Sequence, residues 1–94
     1  MSTIWKYPLA VEDAQQIFMP SGAKILTVQV QKETPCLWVK VDPTAEYVPV
    51  DILTRGTGHL FNGIEGDYIG SYQLLKGDLV FHVFSKLVME EQDG

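Results

Sequence analysis

The chain has 94 residues, 46% of them hydrophobic, which predicts one small folded domain and excludes a disordered tail. Its net charge is −5 and its seven basic residues are spread along the sequence, which argues against a protein that coats nucleic acid. A single cysteine, Cys36, excludes an intrachain disulfide and a cysteine-rich metal site. Because no segment approaches the about 20 apolar residues of a membrane span, we expect a cytoplasmic protein.

Alternation of apolar and polar residues with a period of two dominates the chain and predicts β-strands. The first predicted strand is "TIWKYP". Residues 10–19 fit either a short helix or a strand, and we favour the strand, followed by a turn at Pro20-Ser21-Gly22.

Two further strands, "AKILTVQVQ" and "CLWVKVD", predict a hairpin joined by "KETP", with Pro35 kept out of the paired interior. The residues expected to share a face are Leu26, Val28 and Val30 in the first strand, and Leu37, Val39 and Val41 in the second.

The next predicted strand is "YVPVDILT", where Pro49 suggests an edge or a bulge. A second hairpin follows, from "DYIGSYQLL" to "LVFHVFSKLV", with a glycine turn at Lys76-Gly77-Asp78. The sum is six or seven strands and at most one short helix. We therefore expect an all-β domain over residues 1–90, a small antiparallel sandwich or partly open barrel, with an acidic tail at 91–94 that frays.

The last predicted strand, Leu79 to Val88, is apolar on both faces. Such a strand is either covered on both sides within the monomer or covered by a second copy of the chain. We favour a homo-oligomer and expect Val80, His82 and Phe84 at the subunit contact.

A series of short motifs runs along most of the chain: Ile4 to Leu9, Met19-Pro20, Gly56 to His59, Tyr68-Ile69-Gly70 and Leu79 to Phe84. In this order the motifs resemble a family of small phage and prophage proteins of unknown function. The resemblance implies an infected bacterium as the setting and an accessory role such as blocking a host defence. It implies no assigned activity.

The stretch Arg55-Gly56-Thr57-Gly58-His59 has two interpretations. As a site, the glycines let backbone N–H groups point at an anion, Arg55 supplies a bidentate charge, and Thr57 and His59 complete the cradle. As a turn, it ends a strand and leaves Arg55 and His59 solvated.

Catalysis and metal binding have little basis in the sequence. His59 and His82 are the only histidines, and neither has the spacing of a metal ligand set. Cys36 lies on a predicted strand between apolar neighbours, and the carboxylates are scattered. We therefore predict no catalytic residue, no metal and no cofactor.

Two functions remain. The first is a non-catalytic protein that binds a host defence protein and inhibits it. The second is an oligomeric sponge that sequesters a small nucleotide signal in pockets between subunits, with Arg55 to His59 on the phosphates and Trp38 or Trp5 on the base. Neither involves extended nucleic acid or a membrane.

Overall fold

Two antiparallel sheets make up the chain in a computed structural model that describes residues 1–60 and 63–87. Within these residues there are seven strands and a single 3₁₀ turn at Leu75–Gly77. The strands are β1 (Thr3–Pro8), β2 (Ala14–Pro20), β3 (Lys24–Gln31), β4 (Thr34–Val41), β5 (Tyr47–Gly56), β6 (Asp67–Leu74) and β7 (Leu79–Leu87). Sheet one has the order β1-β4-β3 and sheet two the order β2-β5-β7-β6. The all-β prediction is confirmed, as a sandwich of two open sheets.

The strand interpretation of the segment before Pro20 is also confirmed. β2 pairs with β5 along its whole length, from Ala14 opposite Leu53 to Pro20 opposite Tyr47. The predicted turn follows, closed by the Ala23 N–H, which donates to the Pro20 carbonyl at 3.1 Å. The predicted frayed tail at 91–94, and Val88 at the end of the last strand, lie outside the described residues.

The first hairpin joins β3 to β4 through a two-residue loop, Lys32-Glu33. Both residues have positive φ, 52° and 69°, as a type I′ turn requires. The backbone twist of this turn type matches the twist of the flanking strands, but Asn and Gly are the residues that adopt it without strain. The sequence "KETP" therefore predicts a connection without predicting its geometry.

Pro35 lies inside β4, opposite Val30, and is buried, so the prediction that it stays out of the paired interior is wrong. In a two-residue hairpin the closing pair, here Gln31 and Thr34, exchanges both backbone hydrogen bonds, and the next pair exchanges none. The missing N–H of Pro35 therefore leaves no carbonyl of β3 without a donor. Its carbonyl accepts the Leu9 N–H at 2.8 Å.

β3 contains a bulge that the alternation did not predict. The register shifts between Ile25 and Thr27, so Leu26 is the extra residue and is exposed. Ile25 and Val28, opposite Val39 and Leu37, face the core. The expectation that Leu26 shares a buried face with Val28 is therefore wrong, because the bulge resets the period of two.

β5 lies between β2 and β7, so Pro49 marks neither an edge strand nor a bulge. It pairs with Phe18 of β2 without a change of register. The described pairing with β7 begins one residue later, at Val50 opposite Leu87. The missing N–H of Pro49 thus leaves no described rung of the β5–β7 ladder unpaired.

The core lies between the two sheets, with β3 packed against β6. As predicted, Leu37, Val39 and Val41 share a buried face of β4. The second sheet contributes Met19, Val50, Ile52, Tyr72 and Val83. This arrangement fixes an inner face and an outer face for each sheet.

Candidate functional site

The stretch Gly56 to His59 forms a turn at the end of β5. The His59 N–H donates to the Gly56 carbonyl at 3.0 Å, and Gly58 occupies the third position with a φ of 89°. The Thr57 N–H donates to the Val80 carbonyl of β7 at 3.1 Å. Because these two N–H groups have carbonyl acceptors, they are not directed at an anion.

Arg55, which precedes this turn at the end of β5, contacts three parts of the chain and holds them together. Its Nε lies 3.2 Å from Glu65 Oε2, and the Glu65 side chain is fully buried. One terminal nitrogen of the guanidinium donates at 3.0 Å to two carbonyl oxygens, those of Asp13 and Thr54. The charge that would bind a phosphate is therefore used inside the protein, between β5, the residue before β2 and the β5–β6 connection.

Sheet order explains why this connection needs an anchor. β7 lies between β5 and β6, so the chain that leaves β5 must pass over β7 before it enters β6. Arg55 alternates with the buried Thr54 and faces outward, opposite His82. Its ion pair with Glu65 thus places the end of the connection against the outer face of sheet two.

The predicted subunit contact lies on the same outer face. Phe84 is only 8% exposed in the single chain, and its ring meets the Tyr68 ring edge-on at 5.4 Å between centroids. Val80 and His82 are half-buried, and His82 Nε2 shares a hydrogen bond of 2.8 Å with Thr57 Oγ1. β7 is apolar on both faces, which either the monomer or a second copy could cover. For Phe84, burial within one chain is sufficient. Self-association stays a prediction.

The two tryptophans lie on opposite faces of sheet one. Trp5 is opposite Val39 and packs against the core, with its ring 6.5 Å from that of Tyr7. Trp38 is opposite Lys6 on the outer face, turned away from sheet two. Neither ring lies on the sheet that carries Arg55 to His59. The chain therefore does not bring the predicted phosphate and base contacts into one site.

An apolar groove, which the sequence did not predict, lies at one end of the sandwich. The connections β1–β2, β3–β4 and β6–β7 meet there around a groove of about 810 Å³. Its apolar lining residues and their exposed fractions are Val30 (36%), Leu79 (42%), Val11 (49%) and Leu75 (67%), with half-buried Leu74 beside them. Glu33, Gln73 and Lys76 supply its polar lining.

A weak signal for this groove exists in the sequence. Leu75 precedes the predicted glycine turn directly, where a polar residue is more usual, and Val11 stands beside two acidic residues in a connection. Leu75 and Lys76 also have positive φ, 54° and 55°. Apolar residues and positive φ are unusual in such a turn, and they make this end of the sandwich a candidate interaction surface.

The pKa values of Tyr7, Tyr72 and Asp42 are shifted by their surroundings. Burial raises the pKa of the Tyr7 hydroxyl, and nearby Tyr47 raises it further. Burial also raises the pKa of Tyr72. Hydrogen bonds from the Thr44 hydroxyl and N–H, at 2.8 and 3.0 Å, lower the pKa of Asp42. None of these groups lines the groove.

No group of three or more His, Cys, Asp or Glu side chains in residues 1–60 and 63–87 could hold a metal ion. Over the same ranges, no helix has the length and apolar character to cross a membrane.

The fold defines this protein as a small antiparallel β-sandwich domain. A family model described as a domain of unknown function (DUF7352) matches residues 1–93, and the chain belongs to that family. No curated protein and no solved structure matches the chain.

Proposed function

We propose that this protein is a non-catalytic binding protein whose apolar groove engages a protein partner. The observation that supports it is the convergence of Val11, Val30, Leu75 and Leu79 at one end of the sandwich, all substantially exposed. Contiguous exposed apolar side chains on a soluble domain are typical of a surface that another protein covers.

The lining favours a protein over a small molecule. Leu75 is 67% exposed, so it projects into solvent instead of enclosing a cavity. A small-molecule site buries most of its ligand and aims several polar groups at it. Here Glu33 and Lys76, of opposite charge, lie among the apolar residues. That pattern resembles a protein interface, where a partner's apolar side chain fills the groove and the charges orient it.

We further propose that the partner is a defence protein of a bacterial host and that the chain acts as a phage-encoded inhibitor in the host cytoplasm. This part rests on the resemblance of the motifs from Ile4 to Phe84 to phage and prophage proteins. Inhibition by occupation needs no catalytic group, and Cys36, the strongest nucleophile of the chain, is buried.

The nucleotide-sponge alternative has less support. It needs a free cation on the phosphates, whereas Arg55 pairs with Glu65. Within one chain Trp5 and Trp38 belong to the other sheet, so a neighbouring subunit would have to supply the ring that stacks on the base.

A photo-crosslinking residue at position 75 tests the proposal, with the same residue at position 18 as a matched control. Phe18 is also an exposed apolar residue, at 56%, but lies on β2 outside the groove. In infected and uninfected host cells we expect a discrete adduct with one host protein from position 75 and none from position 18.

The partner identified by that adduct is then purified and its affinity measured by calorimetry. Leu75→Ser should weaken binding about tenfold or more, because apolar residues at the centre of an interface carry most of its energy. Phe18→Ser should bind as the wild type does. Wild-type affinity for Leu75→Ser would overturn the proposal, and an adduct only with a second copy would make the groove a homo-oligomer contact.

A further inference from the structure

The outer face of sheet one gathers lysines that are far apart in the sequence. In the antiparallel register, Ile4, Lys40 and Lys24 lie side by side across β1, β4 and β3, and Lys6, Trp38 and Thr27 form the next row. We call these six residues the Trp38 face. The register therefore collects three of the seven basic residues around one aromatic ring.

This face is positive on an acidic protein. The outward positions of β1, β3 and β4 are all within the described chain and include no Asp or Glu. The net charge of the chain is nevertheless −5, so its acidic residues lie elsewhere. A local field of this kind attracts an anionic partner over about the 8–10 Å at which salt screens it.

Lys24 and Lys40 lie directly opposite each other on neighbouring strands. Like charges in this arrangement destabilise a sheet, because the Cβ atoms are only about 5 Å apart. Both side chains are exposed, and neither forms an ion pair with a described residue. An anion placed between the two ammonium groups would relieve this repulsion. The repulsion destabilises the free protein, and binding of the anion removes it.

Lys6 is already held in a position from which it can contact the same anion. Its Nζ donates to Gln31 Oε1 at 2.6 Å and lies 5.9 Å from the centroid of the Trp38 ring. A lysine held by these two contacts loses less side-chain entropy when it binds an anion than a free lysine does. Partly exposed Trp38 and exposed Ile4 add apolar area between the charges.

We propose that the Trp38 face binds an acidic, extended segment of a protein partner through Lys6, Lys24 and Lys40. In an extended segment, side chains two residues apart point the same way at about 7 Å spacing. Alternate carboxylates can therefore reach lysines on neighbouring strands of this sheet. Trp38 supplies the type of residue that most often dominates binding energy at protein interfaces.

Single-stranded nucleic acid fits this face less well. Proteins that bind it stack successive bases on several aromatic rings along a basic groove. Here one ring is present, and the Lys6 ammonium already lies near it. The net charge of −5 also opposes a polyanion that extends beyond the face.

Fluorescence anisotropy tests the inference with a fluorescein-labelled peptide that has glutamate at every second position. Its glutamine counterpart and a labelled oligothymidylate are the other probes. The double variant Lys24→Gln/Lys40→Gln is compared with Lys76→Gln/Lys86→Gln, which loses the same charge from β7 and the turn that precedes it, in the other sheet.

We expect the wild type to bind the glutamate peptide in preference to both other probes, more weakly as salt rises. The Lys24/Lys40 variant should bind it about five- to tenfold more weakly, and the control variant as the wild type does. Amide and indole NMR shifts should be confined to β1, β3 and β4. Thermal unfolding should show the Lys24/Lys40 variant folded and no less stable, since it has lost a repulsion.

The inference is overturned if the glutamate peptide does not bind, if both double variants weaken binding equally, or if oligothymidylate binds more tightly. The proposal for the Trp38 face does not depend on the proposal for the groove. Leu75→Ser leaves the Trp38 face intact, so failure of the groove proposal and failure of this one give different results.

Discussion

Arg55 and Glu65 are joined across ten residues of chain by an ion pair of 3.2 Å between Nε and Oε2. The pair holds the connection from β5 to β6 against the sheet that it must cross. The residue that looked most like an anion ligand in the sequence is thus an internal clamp.

Replacing Arg55 with Ala should therefore lower the stability of the fold. The change leaves the buried Glu65 carboxylate without this partner and removes hydrogen bonds to the Asp13 and Thr54 carbonyls. Breaking one side of a buried pair costs about 3–5 kcal/mol, and the partly exposed arginine places the expectation near the lower end. Urea unfolding measures the loss.

The double variant Arg55→Ala/Glu65→Gln is the control, because it removes the Glu65 charge as well. It should be more stable than Arg55→Ala alone. If Arg55→Ala unfolds at the wild-type urea concentration, the ion pair does not clamp the connection.

Gly66 allows the same connection to approach β7 closely. Its φ is 99°, and a Cβ at this position would collide with the Ser85 carbonyl oxygen. Gly66→Ala should cost about 2–4 kcal/mol from backbone strain and steric overlap together. Gly22→Ala is the matched control, with a φ of 81° and open space around the Cβ, and should cost about 1 kcal/mol. Equal losses of stability in the two variants, measured by thermal unfolding, would contradict this account.

Local pattern was enough to predict the strands and both hairpins, because alternation and turn residues act over a few positions. Leu26 shows where this fails, since a bulge moves one residue out of the period and only pairing with β4 reveals it. The Arg55–Glu65 pair and the grouping of Lys6, Lys24 and Lys40 depend on sheet order and register. Those are properties of the assembled chain, which no short segment specifies.

The hairpin loop Lys32-Glu33 offers a stabilising substitution. Both residues have positive φ, which is unfavourable for residues that carry a Cβ. Glu33→Gly should raise the free energy of unfolding by about 0.5–1 kcal/mol, because glycine adopts this conformation without strain. Gln29→Gly, in the extended part of β3, should lower it by a similar amount. If Glu33→Gly lowers stability in urea titration, the loop is not in the positive-φ conformation.

Tyr72 should make stability fall at alkaline pH. Its ring packs 5.4 Å from that of Phe81, and its hydroxyl is buried without a hydrogen-bond partner among the described residues. Burial raises its pKa above the ordinary 10.0, so the folded state favours the neutral form. This contribution to stability is complete below pH 10 and is lost as pH rises through the folded-state pKa.

Tyr72→Phe removes both the titration and the unpartnered hydroxyl. At pH 7 the variant should be as stable as the wild type or more stable by up to about 1 kcal/mol, because no hydrogen bond to a described residue is lost. Between pH 10 and 11 it should lose less stability than the wild type, although some loss remains because the pKa of Tyr7 is raised as well. Tyr68→Phe, at an exposed ring, is the control and should follow the wild-type profile. Urea unfolding at pH 7, 10 and 11 measures all three proteins, and identical profiles for Tyr72→Phe and the wild type would show that Tyr72 does not control the alkaline loss.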